Sequence, residues 1–145
     1  MNRKFACALA ACFALTDAAS AQTAADFYKG KQVIFTIGYE AGSGYDLYAR
    51  LLTRYLGKQL PGNPAVVPQN MPGAGGNTAA AHVANIAPKD GTVIGAVHAG
   101  TLLDQLISSK GDLVRHDARN LAYIGSANSE VFVCLVSSAF PVKSF

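Results

Sequence analysis

Three times along this chain a short apolar run breaks into a glycine-bearing turn that leads straight into a helical pattern. Val33-Ile34-Phe35-Thr36-Ile37 runs through Gly42-Ser43-Gly44 into a patterned stretch that begins at Tyr45. Ala65-Val66-Val67-Pro68-Gln69 runs through Gly73-Ala74-Gly75-Gly76 into a stretch of small residues that begins at Asn77. Residues 92–97 run through His98-Ala99-Gly100 into a helix expected near residues 101–108. Runs that are apolar on both faces suit buried parallel strands. Strands that alternate with helices predict an α/β fold with an open, mainly parallel sheet. Residues 121–125 and 131–136 are expected to extend it.

The first helix is predicted over residues 45–60. Tyr45, Tyr48, Leu52, Tyr55, Leu56 and Gln59 recur at steps of three and four, and Leu51 widens the stripe, which is expected to face the core. Arg50, Arg54 and Lys58 form a second row, expected to be solvated, and Asp46 and Arg50 are spaced as a favourable i,i+4 pair worth a few tenths of a kcal/mol. Ser43 is placed to cap the helix, with Asp46 near its positive end, and Pro61-Gly62-Asn63-Pro64 stops it. A second helix is expected over residues 77–86, followed by a turn at Pro88-Lys89-Asp90-Gly91. Residues 26–31 read as a polar lead-in.

The chain start points to export. Asn2-Arg3-Lys4 is a short basic region, residues 5–15 are almost continuously apolar, and Ala19-Ser20-Ala21 precedes Gln22. That order is a signal peptide, with cleavage expected after Ala21. The apolar run falls short of the ~20 residues that a membrane span needs. Leu9-Ala10-Ala11-Cys12 has the form of a lipoprotein box, but the apolar run ahead of it is then very short. Cys7 and Cys12 leave with the signal. Cys134, within an apolar run, has no partner for an internal disulfide and is expected in the core. Loss of Arg3, Lys4 and Asp17 lowers the formal charge of +3 to about +2. No run of Lys or Arg exists, and nucleic acid is not an expected partner.

An open parallel sheet binds ligands beyond the carboxyl ends of its strands. Here those ends are residues 39–44, 70–76 and 98–100, and each feeds a helix. Glycine lets peptide N–H groups approach a ligand. The first N–H groups of a helix have no internal acceptor and attract anions. Ser43, Asn70 and Thr78 add neutral donors. An anion site is therefore expected, its charge met by peptide amides, because neither glycine loop contains Lys or Arg. Rival motifs fail. Thr78 stands where a dinucleotide fingerprint beginning at Gly73 needs its third glycine, and Leu47 where one beginning at Gly42 needs it. There is no P-loop and no nucleophile elbow. His82, His98 and His116 lack metal-ligand spacing. His82 is expected on a helix surface, His116 in a solvated loop, and His98 in the cleft.

The segments ADFYKGKQVIFTIGYEAGSGYDLYARLL, VVPQNMPGAGGNTAAAHVANIAPKDGTVIG and YIGSANSEVFVCLVSSAFPVKSF together resemble the substrate-binding proteins of tripartite tricarboxylate transporters, the Bug family. The resemblance runs from about Asp26 to Phe145. It implies the first lobe of a type II periplasmic-binding-protein, or Venus flytrap, fold that closes on a small carboxylate without catalysis. It implies ligand contacts at Tyr39, Gly42, Ser43, Gly44 and Tyr45, at Gly73, Ala74, Gly75, Gly76, Asn77 and Thr78, and at the third strand end from His98. It also implies a periplasmic monomer with no cofactor and no metal, serving membrane transporter subunits. Two features depart from the family. Its first loop more often ends in three glycines followed by threonine and aspartate, where this chain has Gly42-Ser43-Gly44-Tyr45-Asp46. Its members are also longer.

The expected organisation is a signal peptide over residues 1–21, an incomplete first lobe over residues 22–137, and a crossover toward a second lobe over residues 138–145. The expected function is capture of a small organic carboxylate for transport by a truncated binding protein. The alternatives are a fragment of a cofactor-binding α/β enzyme and a non-functional remnant of a binding protein.

Overall fold

The computed structural model of the chain describes residues 22–107, 116–127 and 129. The expected signal peptide, Cys134, the strand at residues 131–136 and the crossover at residues 138–145 lie outside them. A short helix α1 (Ala24–Tyr28) opens the described chain where a lead-in was expected; Thr23 caps it by accepting from the Asp26 amide. Strand β1 (Gln32–Ile37) is followed by helix α2 (Gly44–Gln59), strand β2 (Ala65–Asn70), a 3₁₀ turn (Ala74–Gly76) and helix α3 (Asn77–Asn85). Strand β3 (Val93–Ala96), helix α4 (Ala99–Ile107) and a 3₁₀ turn (Ala118–Asn120) complete it.

The sheet is parallel, in the order β2-β1-β3. Gln32 pairs with Ala65 and Ile37 with Asn70 on one side, and Ile34 pairs with Val93 and Ile37 with Ala96 on the other. β1 is therefore central, and its Val33, Phe35, Thr36 and Ile37 are buried. Neighbouring residues of a strand point to opposite faces. Ile94 and Ala96 join Phe35, Ile37 and Ala49 of α2 in one cluster, whereas Gly95 lies against Val83 of α3. The two helices thus cover opposite faces of one sheet, as an α/β layer requires.

α2 begins and ends where its sequence signals place it. The Ser43 hydroxyl accepts from the Asp46 amide, and the Leu60 amide closes the last turn on the Leu56 carbonyl. Its orientation, however, corrects the expected one. Tyr45, Tyr48, Leu51, Leu52 and Tyr55 are all exposed, while Asp46 and Ala49 are buried and Leu56 packs on the core. The inward face uses small residues because the helix lies close to the start of β2. A Cβ on Gly57 would stand 2.6 Å from the Pro64 carbonyl oxygen, closer than any side chain tolerates.

Two further expectations are corrected. Residues 121–125 form no strand, and Tyr123 and Ile124 are exposed. A β-branched and aromatic run meets strand propensity, but a strand also needs a paired neighbour. His116 is buried rather than solvated, and among the described residues neither ring nitrogen has a hydrogen-bond partner. Its charged neighbours in sequence, Asp117 and Arg119, pair with each other at 2.7 Å. That pairing holds the Asp117 carboxyl well below the usual range.

The turn after α3 also serves the helix end. The Lys89 ammonium donates to the Val83 and Ala84 carbonyls at 2.7 and 2.6 Å, where a cation complements the negative end of α3. Among the described residues no helix is long and apolar enough to cross a membrane.

Candidate functional site

The loops after β1, β2 and β3 meet at the carboxyl edge of the sheet. Glycine at position 38 makes the meeting close, because a Cβ there would stand 3.1 Å from the Gly76 Cα and 3.2 Å from a Val97 methyl. Tyr39 ties the three loops together. Its hydroxyl donates to the Gly75 carbonyl at 3.2 Å and accepts from the His98 amide at 3.2 Å. Thr101, fully buried at the start of α4, donates to the same Gly75 carbonyl at 3.1 Å. Gly76 closes the junction with φ 98°, and a side chain there would meet the Thr101 and Tyr39 hydroxyls.

Rings line the edge between β1 and β3. Tyr45 stacks on Tyr39 with centroids 4.3 Å apart and planes 21° apart. Tyr45 also meets the His98 ring edge-on at 5.8 Å. The His98 Nδ1 accepts from the Gly100 amide at 2.9 Å, so the neutral ring carries its proton on Nε2. Of the expected ligand contacts, Tyr39, Tyr45, Gly75, Gly76 and His98 are therefore brought together. Gly42 and Gly44 stand at the exposed rim, where a Cβ would meet nothing within 4 Å. Gly73 packs against the Thr78 side chain.

The first loop already holds an anion, and it is the protein's own. The Asp46 carboxylate is 2% exposed. It accepts from the Gly42 amide at 2.8 Å, from Arg50 Nε at 2.9 and 3.0 Å, and from Asn70 Nδ2 at 2.8 Å. Arg50 donates in turn to Asn70 Oδ1 at 2.7 Å, and Asn70 Nδ2 reaches the Tyr39 carbonyl at 2.9 Å. Arg50 is thus the counter-ion of the first loop while its side chain stays 40% exposed, and both Asn70 Nδ2 donors are used in bracing β1 and β2. Residue patterning finds the Asp46–Arg50 pair but misses the part Asn70 plays in it. The signal of the trio is an acid in the first turn, an arginine one turn later, and an asparagine at the end of the adjoining strand.

The hydrogen bonds from Arg50, from the Gly42 amide and from Asn70 lower the Asp46 pKa from 3.8 to about 2, against the opposing effect of burial. A depressed carboxyl contributes stability that is fully present above its unfolded value and fades as pH falls toward the folded one. The braced loop should therefore persist unchanged down to about pH 4 and loosen between there and about pH 2. Amide shifts of Gly42 and of the Asn70 side chain, followed by NMR against pH, read this directly. A transition centred near pH 4 would mean that the trio does not act on the carboxyl.

The second loop also uses several of its donors internally. The Gly76 and Thr78 amides bond the Gly73 carbonyl, and the Asn77 amide bonds the Ala74 carbonyl. Asn77 Nδ2 joins the Ala74 carbonyl at 3.0 Å and the Asp104 carboxylate of α4 at 2.9 Å. The expectation that peptide amides meet a ligand's charge is accordingly narrowed. Among the described residues, the hydrogen bonds leave out the amides of Gly44, Ala74 and Gly75, and the Ser43 and Thr78 hydroxyls keep their protons for donation. Among the described residues, no group of three His, Cys, Asp or Glu side chains is placed to hold a metal ion.

A shallow groove of about 270 Å³ lies elsewhere, on the outer face of α2, lined by Gly44, Leu47, Tyr48 and Leu51. Its lining is almost wholly apolar, without the convergent polar groups that orient a small molecule. The strand-end junction is the better candidate. No family model matches this chain, and no match was found among curated proteins or solved structures.

Proposed function

We propose that this chain is the first lobe of an extracytoplasmic solute-binding protein that takes a small organic carboxylate at the junction of the three strand ends. The observation that carries the reading is the position of Tyr39, Tyr45 and His98. With the order β2-β1-β3, the crossover that leaves β1 and the crossover that enters β3 lie on opposite faces of the sheet, and the crevice lies between those two strand ends. Open α/β sheets bind ligands at such a switch point. The donors there are neutral hydroxyls, amides and an imidazole, which suits binding and release more than chemistry.

The resemblance to the Bug family supplies the rest of the proposal: a type II flytrap architecture, periplasmic residence after signal cleavage, and delivery to tripartite tricarboxylate-type membrane subunits. In that reading a second lobe encloses the ligand and excludes water from its hydrogen bonds. Charge-assisted hydrogen bonds contribute about 1.5–3 kcal/mol when enclosed but about 0–1 kcal/mol when exposed. The lobe alone should therefore bind in the millimolar range, and enclosure should tighten binding tenfold for each ~1.4 kcal/mol recovered.

An amide-resolved NMR titration of the secreted chain with succinate, benzoate and acetate tests the site. The expected result is saturable shifts confined to residues 39–45, 73–78 and 98–101. Shifts confined to the outer face of α2, or none with any acid while the spectrum remains that of a folded protein, would defeat the reading. Saturation at the same residues by a nucleotide and by none of the acids would favour a cofactor-binding enzyme instead.

A further inference from the structure

Tyr45 is an unusual residue for the rim of an anion site, because it is 39% exposed and yet held in place. Its ring is backed by Tyr39, and Tyr39 is fixed at its far end by hydrogen bonds to two other loops. The His98 ring braces it from the side. The backbone next to it is bare, since a Cβ at Gly42, Gly44 or Gly75 would enter open space. The result is a fixed aromatic wall beside uncovered peptide groups.

The charges around this wall are equally selective. Residues 39–45, 70–78 and 98–101 contain no Lys or Arg. The Arg50 guanidinium, which reaches the first loop, is paired with Asp46. Glu40 lies exposed in the first loop, and the Asp104 carboxylate adjoins the second. A dianion or trianion would meet repulsion from these acids and, among the described residues of the three loops, find no cation to offset its desolvation. A monoanion can be held by neutral donors alone, provided that the rest of the molecule contributes contact area.

Resting on the carboxylate reading above, we infer that the ligand is a planar aromatic monocarboxylate whose ring lies against Tyr45 while its carboxylate takes the neutral donors. Offset-stacked and edge-to-face ring pairs add to simple area burial. A wall that is already immobilised loses little freedom when the ligand arrives. An aliphatic acid of equal size would gain the area but not the ring-ring term.

The test uses the secreted chain and three probes: benzoate, cyclohexanecarboxylate and succinate. The sequence has no tryptophan, so indole emission does not mask tyrosine fluorescence, and assigned ring-proton NMR separates the wall from the other tyrosines. Benzoate should bind about three- to tenfold more tightly than cyclohexanecarboxylate, shift the Tyr45 ring protons upfield, and surpass succinate. Tyr45→Phe should keep that preference, and Tyr45→Leu should remove it. Equal binding of the two cyclic acids, or a preference that survives Tyr45→Leu, would overturn the stacking proposal and leave carboxylate capture standing. Tightest binding of succinate would overturn it in the same way. If none of the three binds to the folded chain, both fall. If Tyr45→Leu fails to fold, the ring-proton shifts and the affinity ratio of the wild type decide alone.

Discussion

Replacing Ile37 by alanine should lower stability by about 2–5 kcal/mol. Ile37 sits at the end of the central strand, is fully buried, and packs with Phe35 and Ala49 in a cluster extended by Leu56, Val66, Ile94 and Ala96. Two of its neighbours, Ala49 and Ala96, are alanines, which cannot move far enough to refill a lost side chain. A loss of that size is a large share of the 5–15 kcal/mol that holds a typical domain together. Leu51→Ala, on the outer face of α2, should change stability by only about 0.5 kcal/mol or less, because Leu51 is half exposed. Urea unfolding followed by circular dichroism compares the two. The opposite order would place the tyrosine and leucine stripe in the core after all.

The second large effect separates two adjacent glycines. Gly76→Val should disrupt the strand-end junction, with a loss of about 3 kcal/mol or more. A left-handed backbone is strained for a β-branched residue, and this side chain would also press on the Thr101 and Tyr39 hydroxyls. Gly75→Asn should leave the fold nearly unchanged. Its φ of 65° and ψ of 24° suit asparagine, and nothing lies within 4 Å of the new Cβ. Any loss of ligand binding in Gly75→Asn is therefore a direct effect at the mouth, whereas a loss in Gly76→Val follows from the fold. Thermal melts and carboxylate titrations of both variants distinguish these outcomes. A stable Gly76→Val with intact Tyr39 contacts would show that the junction tolerates a side chain at its closest point.

Much of the architecture was legible because it rests on local chemistry. Ser43 announces the start of α2, Pro61 and Gly62 its end, and the glycine-rich turns mark where strands pass into helices. Even Pro68 fits: among the described residues β2 pairs with β1 alone, and proline is tolerated on such an outer strand. The direction in which α2 faces was not legible. Two rows on that helix have helical spacing. One is large and apolar, the other runs through Asp46, Ala49, Arg50, Thr53, Leu56 and Gly57. Hydrophobicity favours the first, but the sheet takes the second, since close approach selects small residues and a charge is admitted when its partners are beside it. The Asp46–Arg50–Asn70 trio was hidden for a related reason. Asn70 stands 20 residues beyond Arg50 on another element, and only the register that pairs Ile37 with Asn70 brings it to the Asp46–Arg50 pair.

The central strand is also the first strand in the chain, and this sets the order of assembly. β1 can pair with β2 as soon as α2 and its short turns have formed, so the β1–α2–β2 unit is the natural early structure. β3 must cross to the other side of β1 after α3 has packed, which closes a longer loop before any pairing is gained. Until then the hydrogen-bonding edge of β1 that will receive β3 is open, although α2 already covers one side of Phe35 and Ile37 through Ala49 and Leu56. Substitutions in β2 should therefore slow folding, while those in β3 should mainly hasten unfolding.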